Sequence, residues 1–232
     1  MRRTVARWSI VRGLRCALVM LPGVVWAQAE SPAPLTPVQQ RTLLLNPAAP
    51  YWRGRAPDTV VVELVTTKGQ IAIQLLREWA PAGVDRFYLL ARAGYFDDSR
   101  VYRVVATYIA QFGLAGDPSI ARRWRPRHLP LDSVRSSNVR GTLTFAQTSP
   151  RDRSTDLFIN LRDNPKLDTL RFAPIGRVIE GMEVADALFF GYGDLPSSAP
   201  PTGNPRRFYG EANRYLDKEF PKLDRILSAR VR

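Results

Sequence analysis

Val60-Val61-Val62-Glu63-Leu64-Val65 is a continuous β-branched run, Thr67-Lys68-Gly69 is a turn signal, and Gln70-Ile71-Ala72-Ile73-Gln74-Leu75 then alternates with period two. Strand side chains point to opposite faces in turn, so two such runs joined by a glycine-bearing turn specify a hairpin with one face toward a core. Shorter strand candidates follow at Val101–Val105, Tyr108–Phe112, Thr142–Gln147, Leu157–Leu161 and Pro174–Ile179, separated by polar and proline-bearing loops. Two helices interrupt them. Trp79-Ala80-Pro81 starts one over Ala82–Ala93, with Val84, Phe87, Leu90 and Ala91 on one face and Gly94 as its C-cap; Gly181–Leu188 is the other. Many short strands with two helices predict a β-barrel or sandwich with helical caps.

The flanks differ in composition. Residues Met1–Ala29 place Arg2, Arg3, Arg7, Arg12 and Arg15 before an apolar run, Cys16–Trp26, and end on Ala27-Gln28-Ala29, the form of a cleaved secretory signal. The run is short and broken by Pro22-Gly23, which argues against a membrane anchor, since spanning takes ~20 apolar residues. Residues 30–58 are rich in Pro and Ala, with one short helix expected at Val38–Leu45. The main domain is expected at 59–193. Residues 194–232 form an extension in which Arg214–Arg230 carries Tyr215, Leu216, Phe220, Leu223, Ile226 and Leu227 at helical spacing, interrupted by Pro221, and is expected to pack back on the domain.

One Cys, Cys16, and one His, His128, exclude a disulfide framework and a Cys/His metal cluster within the chain, and leave a cysteine protease or Ser-His-Asp hydrolase only His128. Cleavage removes five arginines and no acid, lowering the formal charge from +13 to +8, and takes the only thiol with it. A cysteine-free mature chain suits an oxidising compartment, periplasmic or extracellular. The basic cluster Arg122–Arg127 reads as a solvated loop, and no nucleic-acid partner is expected; weak association with an anionic envelope surface is the residual role for the charge.

Further segments stand in an ordered series: Thr67-Lys68-Gly69-Gln70-Ile71, Trp79-Ala80-Pro81, Phe87-Tyr88-Leu89-Leu90, Val101-Tyr102-Arg103-Val104, Gln111-Phe112-Gly113, Gly116-Asp117-Pro118, Gly141–Ala146, Leu157-Phe158-Ile159-Asn160, Leu167-Asp168 and Phe172–Met182. On these, the stretch from Val60 to Gly193 resembles the cyclophilin-type peptidyl-prolyl cis–trans isomerases, most closely a bacterial secreted subgroup. The resemblance implies a mainly β fold: a closed antiparallel eight-stranded barrel capped by two α-helices, here with a C-terminal helical extension. It also implies an enzyme without cofactor or metal, acting as a monomer on proline-containing unfolded or flexible polypeptides during the folding of exported proteins.

Such an enzyme needs no nucleophile. Peptide rotation costs ~18–20 kcal/mol because resonance must be broken, and X-Pro bonds populate both isomers. A fixed cation that donates to the prolyl nitrogen only as it pyramidalises favours the twisted state over either ground state. Carried over by motif, Arg103 is that donor and Gln111 orients it. Tyr108, Ile109 and Phe158 belong to the proline pocket, Ala146 and Gln147 to the segment that binds the residue before proline, and Leu167 and Phe172 to the rim. Asp156 stands where the family usually has Gln; a carboxylate there would pair with Arg103 and compete for its donors, so Asp156→Gln is expected to raise activity. Phe172 replaces a frequent His and Lys166 a frequent aromatic. A cyclophilin-like peptide-binding module with weak or no catalysis is the alternative.

Overall fold

The computed structural model describes residues 33–149, 151–193 and 205–232, so the leader and the proline-rich link after Gly193 lie outside the described residues. The elements all belong to one unit, Pro34–Arg232. The hairpin forms as its pattern dictates: β1 (Thr59–Thr66) pairs with β2 (Gly69–Leu76) from Thr59 against Leu76 to Thr66 against Gly69, and β1 buries alternate residues. Gly69 takes φ +135°, a conformation costly for any residue with a Cβ.

Helix α1 (Pro37–Leu45) starts with a capping box in which Thr36 and Gln39 exchange hydrogen bonds. Helix α2 (Pro81–Arg92) has Pro at its first turn and no cap of its own; instead Asp132 accepts from the Ala82 and Gly83 amides, both at 3.0 Å. Carboxylate charge at that end also complements the helix dipole. Gly94 follows at φ +71°.

The remaining strands are β3 (Ser99–Arg100), β4 (Arg103–Val105), β5 (Ile109–Phe112), β6 (Thr142–Phe145), β7 (Leu157–Asn160), β8 (Pro174–Glu180) and β9 (Arg225–Val231). Among the described residues, nine strands make one antiparallel sheet in the order β3-β9-β1-β2-β8-β6-β7-β5-β4. The closed eight-stranded barrel expected from the sequence is therefore corrected to an open, nine-stranded half-barrel. Its two outer strands are joined by Val101 and Tyr102 alone, so of the run expected over Val101–Val105 only Arg103–Val105 is strand, and the chain crosses from one sheet edge to the other just before it. Val62, Ile73, Leu75, Phe87, Leu90, Phe96 and Phe145 fill the interior beneath α2.

The second correction concerns the C-terminus. Of the helix expected over Arg214–Arg230 only the first part forms, within α7 (Asn213–Glu219) and after an unexpected α6 (Pro205–Glu211), whereas Arg225–Arg230 belong to β9, hydrogen-bonded between β1 and β3. The register explains the misreading. Val65 pairs with Ser228 and Thr66 with Ile226, leaving Leu227 as a bulge. The extra residue places buried Ile226 and Ala229 three apart, a helical spacing on a strand. Arg100, on β3 and buried, ties the extension down by donating from Nε and NH2 to the two carboxylate oxygens of Asp217 on α7, at 2.7 and 2.8 Å. The Arg100 side chain is buried while Asp217 is half-exposed, so the pair satisfies a buried cation from the surface of the extension.

Three further helices are α3 (Pro118–Trp124), α4 (Lys166–Thr169) and α5 (Met182–Asp186). Of the solvated loop expected at Arg122–Arg127, Arg122–Trp124 is the last turn of α3 and Arg125-Pro126 a turn; the four arginines are exposed as expected, but Trp124 is buried and donates through Nε1 to the Leu44 carbonyl at 2.9 Å. Past β5, Gly113 adopts φ +123°, and a Cβ there would sit 2.2 Å from the Thr155 carbonyl oxygen. Gly113→Ala is expected to cost about 3 kcal/mol, from strain and clash together, read as a lower urea midpoint. A loss under about 0.5 kcal/mol would contradict that close approach.

Candidate active site

Pairing registers build the centre of the site. Arg103 on β4 faces Gln111 on β5, and Gln111 faces Phe158 on β7, so the three residues form one rank across three strands. Arg103 NH1 donates to Gln111 Oε1 at 3.0 Å. The rank borders a cavity of about 880 Å³ that every predicted site residue lines: Arg103, Gln111, Tyr108, Ile109, Ala146, Gln147, Asp156, Phe158, Leu167 and Phe172.

The cavity has an apolar end and a polar end. At the apolar end, Phe158 and Ile109 are buried, Phe172 meets Phe158 edge-on at 5.9 Å between ring centroids, and α4 supplies Leu167. Tyr108 closes the turn after Thr107, with the Arg162 guanidinium over its ring at 5.2 Å. Ala146 continues the β6 edge, its amide donating to the Asp156 carbonyl at 2.8 Å. Gln147 donates from Nε2 to the Leu170 carbonyl at 3.0 Å, while its Oε1 is buried with no hydrogen-bond partner.

At the polar end the expected Arg103–Asp156 pairing is replaced by another. Asp156 Oδ1 accepts from the Tyr102 hydroxyl at 2.6 Å, and the Tyr102 oxygen in turn accepts from Gln111 Nε2 at 3.1 Å. The tyrosine comes between the two residues that sequence reasoning had joined, because it occupies the seam linking β3 to β4. Burial pushes the Asp156 carboxyl up to about 6, although the Tyr102 hydrogen bond and the Arg125 charge pull it down. Burial and the Asp156 charge likewise hold the Tyr102 phenol well above its ordinary value.

Several lining residues were given no role by sequence reasoning: Tyr95, Tyr102, Arg125, His128, Asp152 and Tyr209. Tyr102 lay inside a recognised segment. Tyr209 comes from α6 and carries no local signal; its ring lies under the Arg125 guanidinium at 4.2 Å, and Arg122 on α3 donates to the Gly210 carbonyl at 2.9 Å. The extension therefore walls the polar end. Among the described residues no three His, Cys, Asp or Glu side chains gather as metal ligands.

A family model described as cyclophilin type peptidyl-prolyl cis-trans isomerase/CLD matches residues 61–201. Among individual proteins, peptidyl-prolyl cis-trans isomerase A of Dickeya dadantii is 31% identical over 141 residues, covering 57% of this chain and 73% of that protein. Peptidyl-prolyl cis-trans isomerase ppi1 of Schizosaccharomyces pombe is 33% identical over 133 residues, covering 55% and 83%. The crystal structure of a Cryptosporidium parvum cyclophilin type peptidyl-prolyl cis-trans isomerase superposes with a TM-score of 0.55 at 17% identity, over 75% of this chain and 98% of that one. The same protein determined in the presence of the dipeptide Ala-Pro gives 0.53, at 17% identity over 74% and 98%.

Proposed function

The chain belongs to the cyclophilin-type peptidyl-prolyl cis–trans isomerase family, and we propose that its cavity turns X-Pro bonds by presenting Arg103 to the prolyl nitrogen over an apolar slot. The rank Arg103–Gln111–Phe158 carries this reading: it sets a fixed cation, the amide that aims it and an aromatic floor side by side. Proline seated against Phe158, Ile109 and Phe172 leaves its nitrogen facing the guanidinium. As the amide twists, resonance is lost, the nitrogen gains a lone pair, and Arg103 N–H donates to it. That bond exists mainly in the twisted state, so it lowers the barrier rather than tightening binding of either isomer. Arginine suits this because it stays charged and presents a rigid fork.

Proline-containing flexible polypeptides are the proposed substrates, in line with the relative solved in the presence of Ala-Pro. The leader motif in residues 1–29 supports clients among exported proteins, in the periplasm or outside the cell, met by a monomeric enzyme. Exchange NMR on a short Ala-Pro-Phe peptide tests the activity. The wild type is expected to interconvert the isomers well above the spontaneous rate; exchange at that rate, with the peptide bound, would leave a binding module instead.

A further inference from the structure

The hydrogen bonds beside Arg103 form a directional chain. Arg103 NH1 donates to Gln111 Oε1 at 3.0 Å, Gln111 Nε2 donates to the Tyr102 oxygen at 3.1 Å, and the Tyr102 hydroxyl donates to Asp156 Oδ1 at 2.6 Å. An arginine has only donors and an ionised carboxylate only acceptors, so the chain is anchored in one sense at both ends. Gln111 is the one member whose two ends can exchange, and both of its neighbours demand the same orientation.

We propose that Asp156 and Tyr102 are positioning residues that set the polarity of this chain, so that loss of the carboxylate's charge releases Gln111 and loosens the guanidinium. The proposal rests on Arg103 being the donor to the prolyl nitrogen. Once protonated, the Asp156 carboxyl can donate to the Tyr102 oxygen. The phenol hydrogen then turns to Gln111, whose amide must offer Oε1 to meet it. Nε2 now faces the Arg103 N–H groups, donor against donor, and the guanidinium loses its hydrogen bond to Gln111. No bond is made or broken beyond one proton taken up from water.

The surroundings put this event within an ordinary pH range. Burial raises the Asp156 carboxyl to about 6. The charged and titratable groups around it are Tyr102 at the seam, Arg125 at the end of α3, Asp152 in the preceding loop, Tyr95 after α2 and Tyr209 on α6, with His128 and Arg103 elsewhere on the cavity wall. Burial and the Asp156 charge raise both Tyr95 and Tyr209, so the tyrosines stay neutral throughout. At pH 5, about one molecule in ten keeps the carboxylate ionised. The sign of the stability effect is opposite to the expected activity loss. With the carboxyl raised in the fold, the native state holds more protons than the unfolded chain between about pH 4 and 6, so this group's contribution to stability grows as pH falls. Unfolding driven by Asp156 therefore cannot produce the same acid limb.

The test is kcat/KM by exchange NMR, without a coupling protease, from pH 5 to 8. Wild type is expected to lose about tenfold between pH 7.5 and 5, with a midpoint near pH 6 and the loss in kcat rather than KM. Asp156→Asn keeps an acceptor for Tyr102 at every pH, so its profile should be flat within about twofold. Tyr102→Phe cuts the chain and should be slower than wild type at neutral pH, and equally flat. His128→Gln should keep the limb, because His128 is not a member of the Arg103–Gln111–Tyr102–Asp156 chain. A flat wild-type profile overturns the proposal, as does a limb that survives in either Asp156→Asn or Tyr102→Phe or vanishes in His128→Gln. Should Asp156→Asn not fold, the wild-type, Tyr102→Phe and His128→Gln profiles decide alone. Arg103→Ala separates this outcome from the underlying reading: full activity there sinks the donor assignment, whereas an essential Arg103 with no acid limb sinks only the switch.

Discussion

Replacing Phe208 by alanine is expected to cost about 3–5 kcal/mol of folding stability, the range for removing a buried aromatic without a relaxing neighbour. Phe208 is fully buried on α6 and meets the Tyr102 ring edge-on at 5.0 Å and the Tyr209 ring at 4.9 Å. Its loss opens a void directly behind Tyr102, the residue before Arg103. A second consequence follows from that position: Tyr102 loses the wall that fixes its ring, so kcat/KM should fall even in the fraction that stays folded. Urea denaturation followed by tryptophan fluorescence measures the first effect, and exchange NMR well below the midpoint the second. A loss of less than about 1 kcal/mol would mean that α6 does not seal this region, and Tyr209 would then cease to be a wall of the site.

Arg103→Ala is expected to lower kcat/KM by a factor of about 10²–10³, the cost of removing one preorganised donor to a charge that develops at the transition state. Stability should change little, because Arg103 is half-buried on the edge strand β4. Arg103→Lys should recover only a small part of the activity. An ammonium keeps the charge but lacks the planar fork that can hold Gln111 with one N–H and reach the prolyl nitrogen with another. Recovery to within about twofold of wild type would show that charge alone suffices and that the aiming by Gln111 is dispensable.

The hairpin was legible because Gln70–Leu75 alternates, with only Ala72 buried out of phase, and Gly69 marks its turn. The last strand was not, because the bulge at Leu227 shifts the phase by one and converts a strand pattern into a helical one. Helix α3 carried a signal that went unread: Asp117 before Pro118 is an N-cap, and its carboxylate accepts from the Ser119 amide at 2.7 Å. At the site, the motifs located the lining residues without revealing how they adjoin. The rank of Arg103, Gln111 and Phe158 exists only through the pairing of β4, β5 and β7, which no local pattern specifies. The Asp156 partner was misassigned for a related reason. Proximity to Arg103 was carried over from the family, which usually has a Gln at that place, whereas the split of residues 99–105 between two sheet edges delivers Tyr102 to the carboxylate. With that hydrogen bond in place, the expectation that Asp156→Gln raises activity by freeing Arg103 loses its basis. Tyr209 had no precursor in the sequence, since its role depends on α6 docking against α3.

The most direct measurement compares wild type and Arg103→Ala on one Ala-Pro peptide, taking the isomer exchange rate and the dissociation constant from the same NMR titration. A donor that acts only on the twisted amide predicts that the bound-state exchange rate collapses by about two orders of magnitude or more while the dissociation constant moves by no more than a few-fold. If affinity and rate fall together by the same factor, or if the variant turns the peptide over as fast as wild type, Arg103 serves binding or nothing at all, and the account is wrong.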